Sequence, residues 1–557
     1  MAATRADRVQ RAGAGSGENP VADVLIVGSG ASGSVAATRL AGAGFDVVCL
    51  EQGDWVHPAD YMSATPEAEL AWVQRWSPDP NARRSPADYP LTGDADIRPV
   101  MYNGVGGGLV QWAAMWQPML ASDFRVRSLD GVADDWPIGW ADLAVPYAEV
   151  AHDMSVSGLA GDPALPDMDA YPNPPVSIGK IGEVAARGMD RLGWHWWPGA
   201  NAIASRRHGA LQACQRRGTC MTGCPENAKA TPSLTHWPAA LAAGARLVTG
   251  ARVAEIPLDE RGRALGAVFL DGDGAEHLQR ASVVILAANA VGTARLLLLS
   301  RSARFPDGLA NSSGLVGRRL MQHPYRTVTA VCEEPLDSWQ GPWGQSIYSL
   351  EFAETHLDRD FVRGAKWMVM PHGGPMFAVA EYHEAHRHEG FEALWGENFH
   401  RAAAEVFGHS FTWGIQVEDL PEEHNRVVLD PDISDTSGLP TARIEYRLSE
   451  NSRRMLDFNV ARGVEAAEAA GATSTLVRDI WPTGVGHVLG TTRMGDDPAT
   501  SVVDRWCRSH DVSNLYVIDG GVFVTGGSAN PTATIMANAL RVSEHMIETR
   551  ATQEVPL

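Results

Sequence analysis

The chain has 557 residues, 45% of them hydrophobic and 20% charged, and a formal net charge of -21. That length supports a large buried core in roughly two to four folding units. The acidic balance argues against a nucleic-acid partner, because phosphate binding needs basic surface, and six cysteines in so long a chain do not make a disulfide scaffold.

Residues 1–19 are rich in Ala, Gly and Arg and have no apolar run behind the arginines. They read as the disordered tail of a cytoplasmic protein rather than as a signal peptide. The most apolar segment, 283–299, is interrupted by Asn289, Gly292, Thr293 and Arg295, so no membrane span is expected.

The run Val24-Leu25-Ile26-Val27 is β-rich and reads as a buried parallel strand. Gly28-Ser29-Gly30-Ala31-Ser32-Gly33 follows, then a helix-like stretch from Ser34 to Ala43, a second strand at 47–50, and Glu51 at its end. In this arrangement Gly28 permits the tight turn, Gly30 lets backbone approach a pyrophosphate, and Gly33 lets helix and strand pack closely. The helix N-terminus offers N–H groups to the phosphates. Glu51 can accept from both ribose hydroxyls and disfavours a 2′-phosphate, which selects FAD or NAD over NADP. Ser32 and Gln52, beside these positions, are assigned to the same site.

Asn103-Gly104-Val105-Gly106-Gly107-Gly108 is a second glycine cluster, followed by Trp112 and Trp116. Such a loop can lie against a flat ring, with Asn103, Gly106 and Gly107 as contacts. Cys214, Cys220 and Cys224 come next, before Pro225. Three close thiolates before a proline can hold an iron–sulfur cluster. A mobile loop of reduced cysteines is preferred, and a zinc site would need a fourth ligand such as His208.

Residues 246–256 read as a strand carrying Val253, and 283–286 as another, leading through Ala288 into a helix. His383, His386 and His388 are spaced like metal ligands, but their segment is so polar that a solvated helix face is preferred. Trp339, Trp343, Trp367, Trp395 and Trp413 suit either sugar stacking or a core. Residues 417–420 and 427–430 read as hairpin strands. Near the C-terminus a strand runs into Asp519 and Gly520. Asn530-Pro531-Thr532 then opens a helix, with Pro531 in the first turn, where its missing N–H costs nothing.

Six of these segments together resemble the glucose–methanol–choline oxidoreductase family. They are GSGASG with Glu51, NGVGGG, AANAVGTARLLLLS, VGRRLMQHP, HVLGTTRMG, and LYVIDGG followed by SANPTATIMANALR. The text lies closest to the pyranose oxidase, glycoside 3-oxidase and gluconate dehydrogenase side of that family. The resemblance implies an α/β fold, a Rossmann-like FAD-binding domain interleaved with a substrate domain built on an antiparallel sheet with helices. It places the FAD domain at 20–120, 205–335 and 480–545, and the substrate domain at 121–204 and 336–479. Asp519, Gly520, Pro531 and Thr532 are carried over as cofactor contacts.

The resemblance makes His487 the active-site histidine and Asn530 its partner. His323, in MQHP, is read as structural or supporting. The chemistry agrees: an alcohol C–H gives up hydride only as its hydroxyl proton leaves. A neutral imidazole accepts that proton, and an amide donor holds the oxygen as charge develops. One branch tethers FAD through a histidine before a tryptophan; here Gln111 precedes Trp112, so FAD is expected to be non-covalent. The expected reaction is oxidation of a secondary hydroxyl, C3 or C2, of a pyranose or glycoside, with O2 as acceptor. The alternatives are a dehydrogenase using a quinone or protein carrier and a flavin-binding protein without redox turnover.

Overall fold

The structure is a computed structural model and describes residues 8–13, 20–64, 88–385, 397–482 and 486–550. Its first sheet has a parallel core. Strand Ala22–Val27 lies between Val47–Glu51 and the long strand Glu276–Leu286, whose far side takes Leu515–Val517. Arg246–Thr249 extends the sheet beyond Val47–Glu51. Every residue of Val47–Glu51 is buried, as expected for a strand covered on both faces. The N-terminal half of Glu276–Leu286 turns antiparallel to Gly266–Leu270, which pairs with Arg252–Glu255. The carboxyl ends of the parallel strands release the loops at Gly28, Gln52, Ala287 and Ile518 along one edge, the place where open α/β sheets bind ligands.

The second sheet is antiparallel. Its order is Ser474–Arg478, Tyr325–Val331, Ser410–Val417, Ala365–Met370, Ile347–Ser349, Trp197–Pro198. Helices Glu450–Ala470 and Gly179–Leu192 pack together against it. A third, small sheet joins Arg426–Ser434, Pro440–Glu445 and Leu91–Thr92.

The architecture is the expected α/β one, with four local departures. Val9–Arg11, assigned above to a disordered tail, pairs in parallel with Leu247–Thr249, because a sheet edge can bind backbone whatever the side chains are. Tyr325–Val331, placed on the FAD side of a boundary at 335, belongs to the second sheet. Helix Trp140–Asp153, expected in the substrate domain, packs on the C-terminal helix Thr532–Arg550. Its buried Leu143, Tyr147 and Val150 recur at helical spacing and join the core of the first sheet. The hairpin expected from 417–430 does not form, since Val417 lies in the second sheet and Val427 in the third. Between them Glu418 is tied to Arg363 and Asp419 to Tyr446, and these buried bonds divert the chain.

Trp367 and Trp413 are core residues, Trp343 lines a cavity, and Trp339 is exposed. His383 sits on helix Pro375–Ala385; His386, His388 and Trp395 lie outside the described residues. Among the described residues no helix is long and apolar enough to cross a membrane.

Candidate active site

Two cavities, of about 210 and 220 Å³, meet at His487 and Thr532. The first runs along the carboxyl edge of the parallel strands. It is lined by Gly28, Gly30, Ser32, Glu51, Gln52, Asn103 and Gly107, and further by Val253, Ala288, Asp519, Gly520, Pro531 and Thr532. Gly33 and Gly106 do not line it and act through packing. A Cβ on Gly33 would sit 2.0 Å from the Gly28 carbonyl oxygen, so only glycine lets the helix start there. The Gly106 N–H donates to the Ser29 carbonyl at 3.3 Å and ties the two glycine loops together.

Several features of this cleft fit a dinucleotide. Helix Ala31–Gly42 begins after Gly30, which has no side chain to cap it, so first-turn N–H groups remain for an anion. A Cβ on Gly30 would meet nothing closer than Gly107 Cα at 3.7 Å. The protein's own packing therefore does not demand a glycine there, and the bare backbone leaves room for a pyrophosphate. Glu51 is buried. Its Oε2 accepts from the Ser29 N–H at 3.0 Å and the Ser29 hydroxyl at 2.7 Å, and its Oε1 from the Gly53 N–H at 2.9 Å. The acid thus braces the first glycine loop, and its remaining lone pairs are free to accept hydroxyls. Gln52 Nε2 donates to Asn103 Oδ1 at 2.7 Å and links the second loop. Asp519 accepts from Thr293 Oγ1 at 2.5 Å and the Gly521 N–H at 2.8 Å, and burial pushes it up to about 6.

Tyr89, Arg252 and Arg295 also line this cleft, with the Tyr89 ring 5.7 Å from the Arg252 guanidinium carbon and 4.8 Å from that of Arg295. No sequence reasoning singled out Tyr89 or Arg295. Their signal is a contact between distant segments and has no local pattern.

The second cavity lies between the glycine loop and one face of the antiparallel sheet. Its walls are mainly Trp112, Met115, Trp343, Met368, Met370, Phe377 and Trp481, with Gln111, Thr327, Thr412 and Gln416 as polar points. Asn530 lines this cavity alone, and His487 lines both. Gln111 has no nucleophilic atom for a flavin tether.

The protonation of His487 follows from its partners. His323 Nε2 lies 2.7 Å from the Gly527 carbonyl, which can only accept, so Nε2 carries the proton. His323 Nδ1 is then an acceptor in the neutral ring, and it lies 2.8 Å from His487 Nδ1. His487 Nδ1 is therefore the donor, and its Nε2 keeps a lone pair. Burial, the neighbouring His323 and the Lys366 charge hold His487 well below the ordinary histidine value. Burial brings His323 down to about 4. Both rings are neutral at pH 7.

Asn530 is fixed from two sides. Lys366 Nζ donates to its Oδ1 at 2.7 Å, and its Nδ2 donates to Gln416 Oε1 at 3.3 Å. Gln416 Nε2 in turn donates to the Ser528 carbonyl at 2.7 Å. Lys366 and Gln416 escaped the sequence reading. They are cross-strand partners in the second sheet, brought to Asn530 by pairing over long separations.

Cys214, Cys220 and Cys224 line one small cavity, all reduced. Their sulfurs accept backbone N–H groups from Arg216, Trp343 and Ala228 respectively, each at 3.3 Å. Burial pushes the Cys220 thiol up to about 12 and raises Cys214. Among the described residues no three His, Cys, Asp or Glu side chains converge as metal ligands. His208, the zinc candidate, is instead hydrogen-bonded through Nδ1 to Ser155 Oγ at 2.9 Å.

A Rossmann-type cleft meeting an apolar cavity, with a histidine at the junction, fits a dinucleotide-dependent oxidoreductase. The chain belongs to the GMC oxidoreductase family, whose two models match residues 181–325 and 421–539; a Rossmann-like NAD(P)-binding model matches 26–56. It is similar to 2-methyl-1,2-propanediol dehydrogenase of Mycolicibacterium austroafricanum, 40% identical over 94% of this chain and 95% of the relative. It is also similar to paromamine 6'-oxidase of Streptomyces fradiae, 32% identical over 94% of this chain and 91% of the relative. The crystal structure of formate oxidase shares the fold, with a TM-score of 0.65 at 16% identity over 97% of this chain and all of that one. The protein is an FAD-dependent oxidoreductase acting on CH–OH donors.

Proposed function

We propose that the chain oxidises an alcohol to a carbonyl with His487 as the base and Asn530 as the oxygen donor. The observation that carries this reading is the pair of directional hydrogen-bond chains. One leaves His487 Nε2 as an acceptor, and the other leaves an Asn530 Nδ2 hydrogen as a donor, both on the same cavity. FAD, held along the cleft by the glycine loops and Glu51, would supply the hydride acceptor. His487 Nε2 takes the hydroxyl proton as the C–H bond breaks. Asn530 Nδ2–H stabilises the oxygen while its negative charge grows. The mostly apolar walls lower the local dielectric and strengthen both interactions.

The same walls bear on the substrate. A ring of Trp, Met and Phe with few polar points suits an alcohol with an apolar face or body. Within the expected class, this favours a glycoside with an apolar aglycone, oxidised at C3 or C2 of its pyranose, over a free sugar. The name of the diol dehydrogenase relative supports a second reading, a small branched alcohol. Relatives named as an oxidase and as a dehydrogenase leave O2 and a quinone or protein carrier both to be tested. The six free thiols suit a reducing, cytoplasmic setting.

The test mixes FAD-loaded protein anaerobically with glycosides, free sugars and branched diols, and follows flavin bleaching. Bleaching by apolar glycosides ahead of free sugars supports the first reading. Bleaching by small diols alone supports the second. No bleaching by any alcohol sinks both. Admitting air then distinguishes the acceptors by oxygen uptake.

A further inference from the structure

Lys366 is wholly buried on strand Ala365–Met370. Among the described residues no carboxylate lies within ion-pair distance of it. A lysine without a counter-charge in such a place is costly and calls for a reason. Its position gives one. Tyr325, Gln416 and Lys366 form a row across three adjacent strands, because Tyr325 pairs with Gln416 and Gln416 with Lys366. Tyr325 and Gln416 line the substrate cavity. Lys366 ends beneath it, with Nζ 2.7 Å from Asn530 Oδ1 and 5.6 Å from the centre of the Tyr348 ring.

Building on the role proposed for Asn530, we propose that Lys366 is a positioning residue for alcohol oxidation: it holds the Asn530 carboxamide with Oδ1 turned away from the substrate and Nδ2–H turned toward it. An ammonium or amine Nζ can donate, and a carboxamide accepts only through oxygen. An ammonium has no lone pair to accept with, so its contact fixes which end of the amide is which; an amine takes its direction from the Gln416 end of the chain. The far end of the chain agrees. The Ser528 carbonyl requires Gln416 to donate through Nε2, so Gln416 Oε1 accepts, and it accepts from Asn530 Nδ2. One Nδ2 hydrogen is used there. Among the described residues the other has no better partner than Met115 Sδ at 4.0 Å, which leaves it for the substrate oxygen.

Without Lys366 only the 3.3 Å bond to Gln416 opposes a turn of the amide, which would present its oxygen to an oxygen that is gaining negative charge. That reverses a favourable contact at the transition state and leaves ground-state binding nearly untouched. The lysine also lowers His487, but that ring is neutral through neutrality on burial alone, so at pH 7 the effect of Lys366 on turnover runs through Asn530.

The test is a double-mutant cycle on the FAD-loaded enzyme, with kcat and KM measured for one alcohol. Lys366→Met is expected to lower kcat by about 10- to 100-fold with KM little changed. Asn530→Ala is expected to cost at least as much, and Lys366→Met added to Asn530→Ala to cost nothing further. Lys366→Gln, a neutral donor, is expected to recover part of the loss; it carries the cycle if the Met variant does not fold. Thermal melting of each variant tracks stability separately from turnover. Losses that multiply in the double variant, or full activity in Lys366→Met, would overturn the proposal. Full activity in Asn530→Ala would instead remove the reading on which it rests.

Discussion

The cofactor cleft and the substrate cavity share His487 and Thr532, yet they are built in opposite ways. The part of the cleft at its first strand is largely backbone: glycine turns, a helix N-terminus and strand ends that follow one another in sequence. The cavity is side chains, gathered from strands far apart in the chain onto one sheet face. A site made of backbone demands particular residues at particular spacings. A site made of side chains can be assembled by pairing that leaves no local trace.

The contrast makes breakable predictions. The largest effect is expected in the cleft, at a residue that touches nothing chemical. Gly33→Val forces a side chain against the Gly28 carbonyl, which a Cβ alone would approach to 2.0 Å. FAD should no longer co-purify, and the flavin absorbance of the purified protein checks this. Retained FAD would break the claim that backbone geometry governs the cleft.

The next effect lies at the junction. His323→Leu removes the acceptor for His487 Nδ1–H and leaves a buried donor unpaired. At about 1–3 kcal/mol for such a loss, kcat should fall about 10- to 100-fold, with FAD retained. Unchanged turnover would mean that His323 does not set the tautomer.

A subtler effect is the pH profile. In the proposed role His487 acts deprotonated, and its environment holds it well below 6.5. Activity should therefore be flat through neutrality and be lost only as pH falls to where the buried imidazole takes up a proton. A half-loss near 6.5 in kcat/KM would indicate an ordinary, exposed histidine. The smallest effect belongs to the apolar wall. Trp343→Ala should raise KM for an apolar glycoside several-fold, by about 1 kcal/mol of lost stacking, with kcat little changed.

The same contrast explains what the sequence discloses. The strands ending at Val27, Glu51, Leu286 and Val517, and the glycines that follow the first of them, stand where their pattern places them. His487 and Asn530 are legible through their motifs, and both border the cavity. Tyr89, Arg295, Lys366 and Gln416 are not legible, because each matters only through a partner on a distant segment. The edge strand Val9–Arg11 is hidden for another reason: three residues joined by backbone alone need no apolar pattern. The failed hairpin near 417–430 shows buried ion and hydroxyl bonds outweighing a local β pattern.

The central claim is that a neutral His487 removes the substrate proton. Its most direct test is the anaerobic rate of flavin reduction by a bleaching alcohol in His487→Ala, with bound FAD confirmed by absorbance. The account predicts a rate lower by at least about 100-fold. Reduction at close to the wild-type rate would contradict it.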